Sequence, residues 1–193
     1  MSALDVHPAL RQRRFAMPPA TPEQLFARFD ALGIAHVTHR HAPVFTVAES
    51  AEIKANLPGG HSKNLFLKDK KGRLYLLCAL GDAKVDLNAV AKLIGASGRF
   101  TFCNADLLMQ HLGVTPGSVT LFALINDPDH DVTLLLDEGL LARTPVNFHP
   151  LSNDATTAIS PGDLLKFIAA LGRDPIRLAF DAAGAPTRIE PSA

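Results

Sequence analysis

Pro58-Gly59-Gly60-His61-Ser62-Lys63-Asn64-Leu65-Phe66-Leu67-Lys68-Asp69-Lys70-Lys71-Gly72-Arg73-Leu74-Tyr75-Leu76-Leu77-Cys78-Ala79 holds two apolar runs joined by a short polar link. Lys63–Lys68 and Arg73–Ala79 read as the strands of a β-hairpin, with Asp69-Lys70-Lys71-Gly72 as its turn. The first strand opens on a cation, Lys63. An unpaired buried ammonium costs several kcal/mol even after relaxation, so such a lysine meets a carboxylate or an anion carried by a ligand, or it snorkels to the surface. Cys78 lies inside the second run and reads as a small buried thiol.

Outward from the hairpin, helical and strand patterns alternate. Thr21-Pro22-Glu23-Gln24 has the order of a capping box, followed by Leu25, Phe26, Phe29 and Leu32 at helical spacing and Gly33 as a stop. His36 to Arg40 predicts a short strand, and Thr46-Val47-Ala48-Glu49 a second capping box whose helix ends before Pro58. Asp86 to Ile94 and Asn104 to Leu112 read as helices with Asx N-caps and glycine stops, flanking a strand at Arg99 to Phe102. Val119–Ile125 and Val132–Leu136 predict a second hairpin around Asn126-Asp127-Pro128-Asp129. Val146–His149 and Thr156–Ile159 are shorter strands, and Ser160-Pro161-Gly162-Asp163 starts a last helix ending at Gly172. No internal repeat or dividing linker interrupts this order. The expectation is a single α+β domain with a mixed, curved, barrel-like β-sheet flanked by helices, spanning residues 21–180. Residues 1–20 and 181–193 are expected as flexible extensions.

The composition narrows the classes of function. A chain of 193 residues with 47% hydrophobic and 20% charged residues can bury one substantial core. No apolar run approaches the ~20 residues that span a bilayer, and no secretory signal pattern opens the chain. Cys78 and Cys103 form neither a disulfide framework nor a zinc spacing, so a soluble protein of the reducing cytoplasm is expected. Nineteen basic and nineteen acidic side chains cancel, which argues against a protein that coats nucleic acid. Local charge is another matter: Lys54, Lys63, Lys68, Lys70, Lys71 and Arg73 fall in one short stretch, as a solvated hairpin tip or as a contact for an RNA end.

Other stretches suggest chemistry, each with a structural alternative. Gly59 to Asn64 is Gly-rich, but it lacks P-loop spacing and precedes a strand, and no GxGxxG follows a strand elsewhere. Gly113-Val114-Thr115-Pro116-Gly117-Ser118 can turn backbone N–H groups into a cleft to hold a carbonyl or oxyanion, or can be an ordinary helix-to-strand connection. Ser118, His149 and Asp154 could compose a nucleophilic triad, yet no nucleophile elbow surrounds the serine. His36, His39 and His41 invite a metal, although alternation places only His39 and His41 on one face, and structural or surface roles compete.

Pro58 to Asp69, Leu112 to Thr120 and Pro145 to Ile159, in this order and spacing, resemble the YbaK and prolyl-tRNA-synthetase-associated editing superfamily. The likeness is greatest to its free-standing ProXp-ala (PrdX) deacylases and covers about Thr21 to Phe180. The resemblance implies a trans-editing aminoacyl-tRNA hydrolase that removes alanine, or a similar small amino acid, wrongly attached to tRNA(Pro). It implies Lys63 as the catalytic residue, and Asn64, Gly113, Val114, Thr115, Pro116, Gly117, Ser118, His149, Asn153 and Thr156 as substrate-binding residues. It implies no cofactor and no metal. The expected partner is the mischarged acceptor end of tRNA(Pro), with transient contact to prolyl-tRNA synthetase left open, no membrane, and a monomer.

Relatives in this superfamily differ in the amino acid accepted, including alanine, 2-aminobutyrate, serine and cysteine, and a non-catalytic RNA-end-binding module of the same fold is the rival reading. An aminoacyl ester is already activated, so a positioned water and a polarised carbonyl can suffice, with the ribose 2′-hydroxyl orienting the water. A cavity that excludes the proline ring by clash discriminates better than attraction, since a missing methylene is worth only ~1–3 kcal/mol. Phe45, Val47, Leu65 and Phe122 are candidate walls for that cavity or simply core residues.

Overall fold

In a computed structural model of the chain, residues 18–43 and 56–189 are described. The predicted capping box at Thr46 to Glu49, together with Lys54, Phe45 and Val47, lies outside them. Nine strands form one mixed sheet among the described residues: β1 (His36–Arg40), β2 (Gly60–Lys68), β3 (Leu74–Leu80), β4 (Thr101–Phe102), β5 (Val132–Asp137), β6 (Val146–Phe148), β7 (Ala155–Ile159), β8 (Ile176–Phe180) and β9 (Pro186–Ile189). The helices are α1 (Pro22–Ala31), α2 (Leu87–Leu93), α3 (Ala105–Leu112), α4 (Glu138–Leu141) and α5 (Pro161–Ala170), with a 3-10 helix at Leu121–Asn126. This is a single α+β domain.

The strand order β1-β7-β6-β2-β3-β5-β8-β9 makes β2 the hinge of the sheet, with β4 added beside it. β2 pairs antiparallel with β3 from Ser62↔Leu80 to Lys68↔Leu74, which is the predicted hairpin. At its start it pairs parallel with β6, Gly60↔Val146 and His61↔Asn147. Alternation along each strand divides the apolar residues into two cores. Phe66, Val146, Phe148 and Ile159 join Leu25, Phe29, Phe122, Leu164 and Phe167 in the larger one. Its centre is edge-on aromatic packing, Phe29 on Phe122 at 5.1 Å and on Phe167 at 5.3 Å between ring centroids. Leu67, Tyr75, Leu77, Val90, Leu135 and Leu178 form the second, covered by α2.

The helix caps follow the sequence closely. Thr21 accepts from the Gln24 backbone while Gln24 returns a bond to the Thr21 N–H, satisfying two donors that a helix start otherwise leaves open. Asp86, Asn104 and Ser160 cap α2, α3 and α5 by accepting backbone N–H bonds on their side chains, without the reciprocal bond.

Two expectations fail. Val119–Ile125 does not form a hairpin with Val132–Leu136: Leu121–Asn126 is a 3-10 helix capped by Thr120, and β5 instead joins β3 in parallel, Leu74↔Val132 to Cys78↔Leu136. Leu121, Phe122, Ala123 and Leu124 are all buried, and an apolar run buried on every side carries no period that distinguishes strand from helix. Asp127, read as a turn former, is a buried acceptor paired with Arg173 at 2.7 Å. The second failure is the loose C-terminal extension, since Pro186–Ile189 pairs antiparallel with β8. Asp181 builds that turn by accepting from the N–H groups of Ala183 and Ala185 at 2.9 and 2.8 Å, which an Ala- and Gly-rich composition conceals.

Candidate active site

The site begins where β2 meets β6, and two glycines permit the meeting. A Cβ on Gly59, whose φ is +98°, would stand 2.1 Å from the Pro145 carbonyl oxygen, and one on Gly60 would stand 2.5 Å from Arg143 Cβ. The Gly60 N–H donates to that same Pro145 oxygen at 2.8 Å. The Gly-Gly pair therefore serves backbone approach rather than phosphate binding. A polar interlock fixes the register beside it. Asn147, 3% exposed, donates from Nδ2 to the Pro58 and Gly60 carbonyls at 2.9 and 3.4 Å, Ser62 Oγ donates to the Asn147 carbonyl, and Asn64 Nδ2 donates to Ser62 Oγ at 3.0 Å. The Oδ1 atoms of Asn64 and Asn147 are buried and accept no hydrogen bond among the described residues.

Lys63 and Asn64 part company here, because successive strand residues point to opposite faces. Asn64 shares the Phe66 face, towards the larger core, whereas Lys63 shares the face of Leu65 and Leu67. The Lys63 ammonium donates to the Ala83 carbonyl in the turn after β3. That turn is held by the Gly81 N–H on the His61 carbonyl at 2.7 Å and by the Leu80 N–H on Asp137 Oδ2 at 2.9 Å.

Register carries the Lys63 face across the sheet. His61 is partnered by Asn147, Asn147 by Ala158, and Thr156, two residues before Ala158, by His39 on β1. Asn147 and Thr156 therefore lie on the Lys63 side, and His149 follows two residues after Asn147. Thr156, 6% exposed, is bonded to His41 Nε2 at 2.9 Å. Because His41 Nδ1 faces the Ala42 carbonyl, a pure acceptor, at 2.9 Å, the neutral ring carries its proton on Nδ1 and Nε2 accepts from the Thr156 hydroxyl. His149 Nδ1 likewise donates to the Ala155 carbonyl at 3.0 Å, and its ring lies 6.5 Å from that of His41. Next to them the Ser152 hydroxyl donates to Asp154 at 2.5 Å and, against the opposing effect of burial, holds its carboxyl below the usual value.

The Gly113–Ser118 loop divides between packing and site. Gly113 has φ +65°, and a Cβ there would meet Pro19 at 2.6 Å and Asn126 Nδ2 at 2.8 Å, while Val114 belongs to the larger core. The Ser118 N–H is occupied by the Thr115 carbonyl at 3.0 Å. Thr115, Pro116 and Gly117 are exposed, and Gly117 borders Asn153, whose Nδ2 would lie 3.5 Å from an added Cβ. The exposed tip of this loop and the Asn153 segment thus form one wall.

The Ser118–His149–Asp154 triad does not assemble. Ser118 is 3% exposed, His149 Nδ1 serves a carbonyl rather than a carboxylate, and Asp154 is bonded to Ser152. His36 stacks on Phe26 at 5.2 Å between centroids as a packing residue, and no three potential metal ligands cluster among the described residues. Phe122 lies in the core, and Leu65 packs against the second cluster. Sequence reasoning missed the His41–Thr156 bond, which joins positions 115 residues apart, and the interlocking role of Asn147.

The described residues thus present a lysine, two tethered histidines and an exposed Pro-Gly tip, with Ser118, His149 and Asp154 each engaged elsewhere. Comparison with known proteins supplies the family. The family model described as "Aminoacyl-tRNA editing domain" matches residues 41–167. Prolyl-tRNA synthetase associated domain-containing protein 1 of Mus musculus is 41% identical over 162 residues, covering 82% of this chain and 95% of its own. The prolyl-tRNA editing protein ProX of Acetoanaerobium sticklandii is 36% identical over 151 residues, covering 78% and 92%. Among solved structures, that of the hypothetical protein APE2540 shares the fold with a TM-score of 0.63 at 24% identity, covering 80% of this chain and 96% of that one. The chain belongs to the aminoacyl-tRNA editing domain family, the YbaK/ProX group. No helix among the described residues is long and apolar enough to cross a membrane.

Proposed function

We propose that this protein hydrolyses the ester of a small amino acid, alanine first, mischarged on tRNA(Pro). What supports the reading is the sheet face shared by Lys63 and Thr156, with His149 two residues past Asn147 of the same face, in a member of an editing family. Lys63 takes the phosphate or ribose region of the RNA terminus, exchanging its carbonyl partner for an anion. The tip Thr115–Gly117 and Asn153 hold the aminoacyl group, and the Asn147 Nδ2 bonds to the Pro58 and Gly60 carbonyls stiffen the wall behind it.

Hydrolysis then needs no covalent enzyme intermediate. Water oxygen bonds to the acyl carbon, the ester C–O bond breaks, and the departing ribose oxygen takes a proton, leaving free amino acid and intact tRNA. The ribose 2′-hydroxyl orients the water, with Thr156 and His149 shaping its pocket. The test is a deacylation panel across tRNA(Pro) charged with alanine, 2-aminobutyrate, serine, cysteine and proline. Fastest release of alanine with proline spared supports the proposal. A different preferred residue revises the substrate, and binding without release of any amino acid replaces the enzyme by a binding module. A 2′-deoxy terminal ribose should bind but turn over slowly, and equal rates would remove the hydroxyl from the mechanism.

A further inference from the structure

The hairpin end of β2 and β3 is more than a solvated turn. Asp69, buried and only 4% exposed, accepts from the N–H groups of Lys71, Arg73 and Ser97 at 2.9, 3.0 and 2.9 Å, and from Arg73 Nε at 2.6 Å. Arg73 also reaches the Gly95 carbonyl, and the Lys70 N–H donates to Ser97. The turn and the segment 95–102 are thus one rigid body organised around a single sequestered carboxylate. On its surface it carries Lys68, Lys70, Lys71, Arg73 and Arg99, and Lys70, Lys71 and Arg99 form no ion pair among the described residues. Lys70 runs beside Gly98, where an added Cβ would lie 3.5 Å from its own. Phe102, paired with Leu67 in β4, is 64% exposed.

A chain with no net charge has concentrated positive charge here, together with an uncovered aromatic ring. Phosphates and unstacked bases are the chemistry that such a surface complements. β2 also links it to the site: Lys68 lies five residues beyond Lys63 on the same strand, about 17 Å away at the usual rise. We infer that this body is the docking surface for the double-helical RNA adjoining the aminoacylated end, its cations on backbone phosphates and Phe102 on a base at the helix end. This rests on the deacylase reading for the position of the RNA terminus, but not for the RNA contact itself.

The experiment measures binding of an uncharged RNA hairpin carrying the tRNA acceptor stem, at several ionic strengths, and separately the hydrolysis of an alanyl ester on a short single-stranded oligonucleotide without the stem. If Lys70, Lys71 and Arg99 each neutralise one phosphate, the Lys70→Ala/Lys71→Ala/Arg99→Ala variant should lower the slope of log K against log salt by about 2.7. Between 50 and 200 mM salt the unaltered protein should then lose about 40-fold more affinity than the variant. Phe102→Ala should weaken binding without changing the slope. Neither variant should change hydrolysis of the stemless ester. An unchanged slope and affinity overturns the inference, and so does an equal loss on the stemless ester, which would mean a distorted site. Salt-dependent stem binding with no hydrolysis of any ester would leave the docking surface standing and remove the deacylase.

Discussion

Replacing Gly59 by alanine should dislodge the start of β2 from β6, and a second glycine provides the control. Gly59 has φ +98° and an added Cβ falls 2.1 Å from the Pro145 oxygen, whereas Gly72, with φ +80°, has nothing within 4 Å of the same position. Both alanines incur the left-handed backbone cost of roughly 1–2 kcal/mol. Only the first also meets a backbone oxygen that cannot swing aside. Relief requires the strands to separate, weakening the Gly60 N–H bond to Pro145 and the two Asn147 bonds to Pro58 and Gly60. At about 1 kcal/mol for each of the three bonds beyond that backbone cost, Gly59→Ala should cost roughly 4–5 kcal/mol against about 1–2 for Gly72→Ala. Urea unfolding followed by far-ultraviolet circular dichroism suits the measurement, since the sequence has no tryptophan. Gly59→Ala should also lose deacylation, because the displaced segment carries Lys63. Equal midpoints for the two variants would refute the claim that close approach to Pro145 holds this strand.

Lys63→Ala should lower single-turnover deacylation by about 10²-fold or more while the circular dichroism spectrum and unfolding midpoint stay near those of the unaltered protein, the expected result for a charge that serves a ligand; near-full activity would transfer the role elsewhere. Thr156→Val removes the hydroxyl bonded to His41, so the rate should fall by about tenfold and recover in Thr156→Ser; a fully active valine variant would make the hydroxyl dispensable. Asp69 supplies a pH test. Burial pushes its carboxyl up, but the Ser97, Arg73 and Lys71 bonds prevail and hold it below its ordinary value. A depressed folded value means stability present above the unfolded pKa and lost as pH falls through the folded one. The advantage of the unaltered protein over Asp69→Asn should therefore persist at neutral pH and shrink below about pH 4, and a constant difference across that range would contradict the linkage.

The parts of this fold legible in the sequence are those specified within a few residues. Thr21 with Gln24, Asp86, Asn104 and Ser160 fix helix starts through bonds no more than three residues long, and the β2–β3 turn closes on its own Asp69. Legibility fails where burial erases periodicity, as at Leu121 to Leu124, or where one side chain such as Asp181 organises a turn that its neighbours disguise. The candidate site shows the same division. Lys63 stands out because a cation at the head of an apolar strand is costly in any context. That Asn64, its neighbour, faces the other way follows from alternation alone, yet only the cores reveal that Asn64 takes the side of the larger one. His41 was visible as a residue but not as a partner, because its bond to Thr156 depends on β1 adding to the sheet beside β7, a pairing between distant segments that no local pattern encodes. The glycines of Pro58-Gly59-Gly60 make the point most directly. In sequence they are a Gly-rich stretch without P-loop spacing, and in the fold they are the space through which the Pro145 backbone passes to set Val146 and Asn147 beside Gly60 and His61.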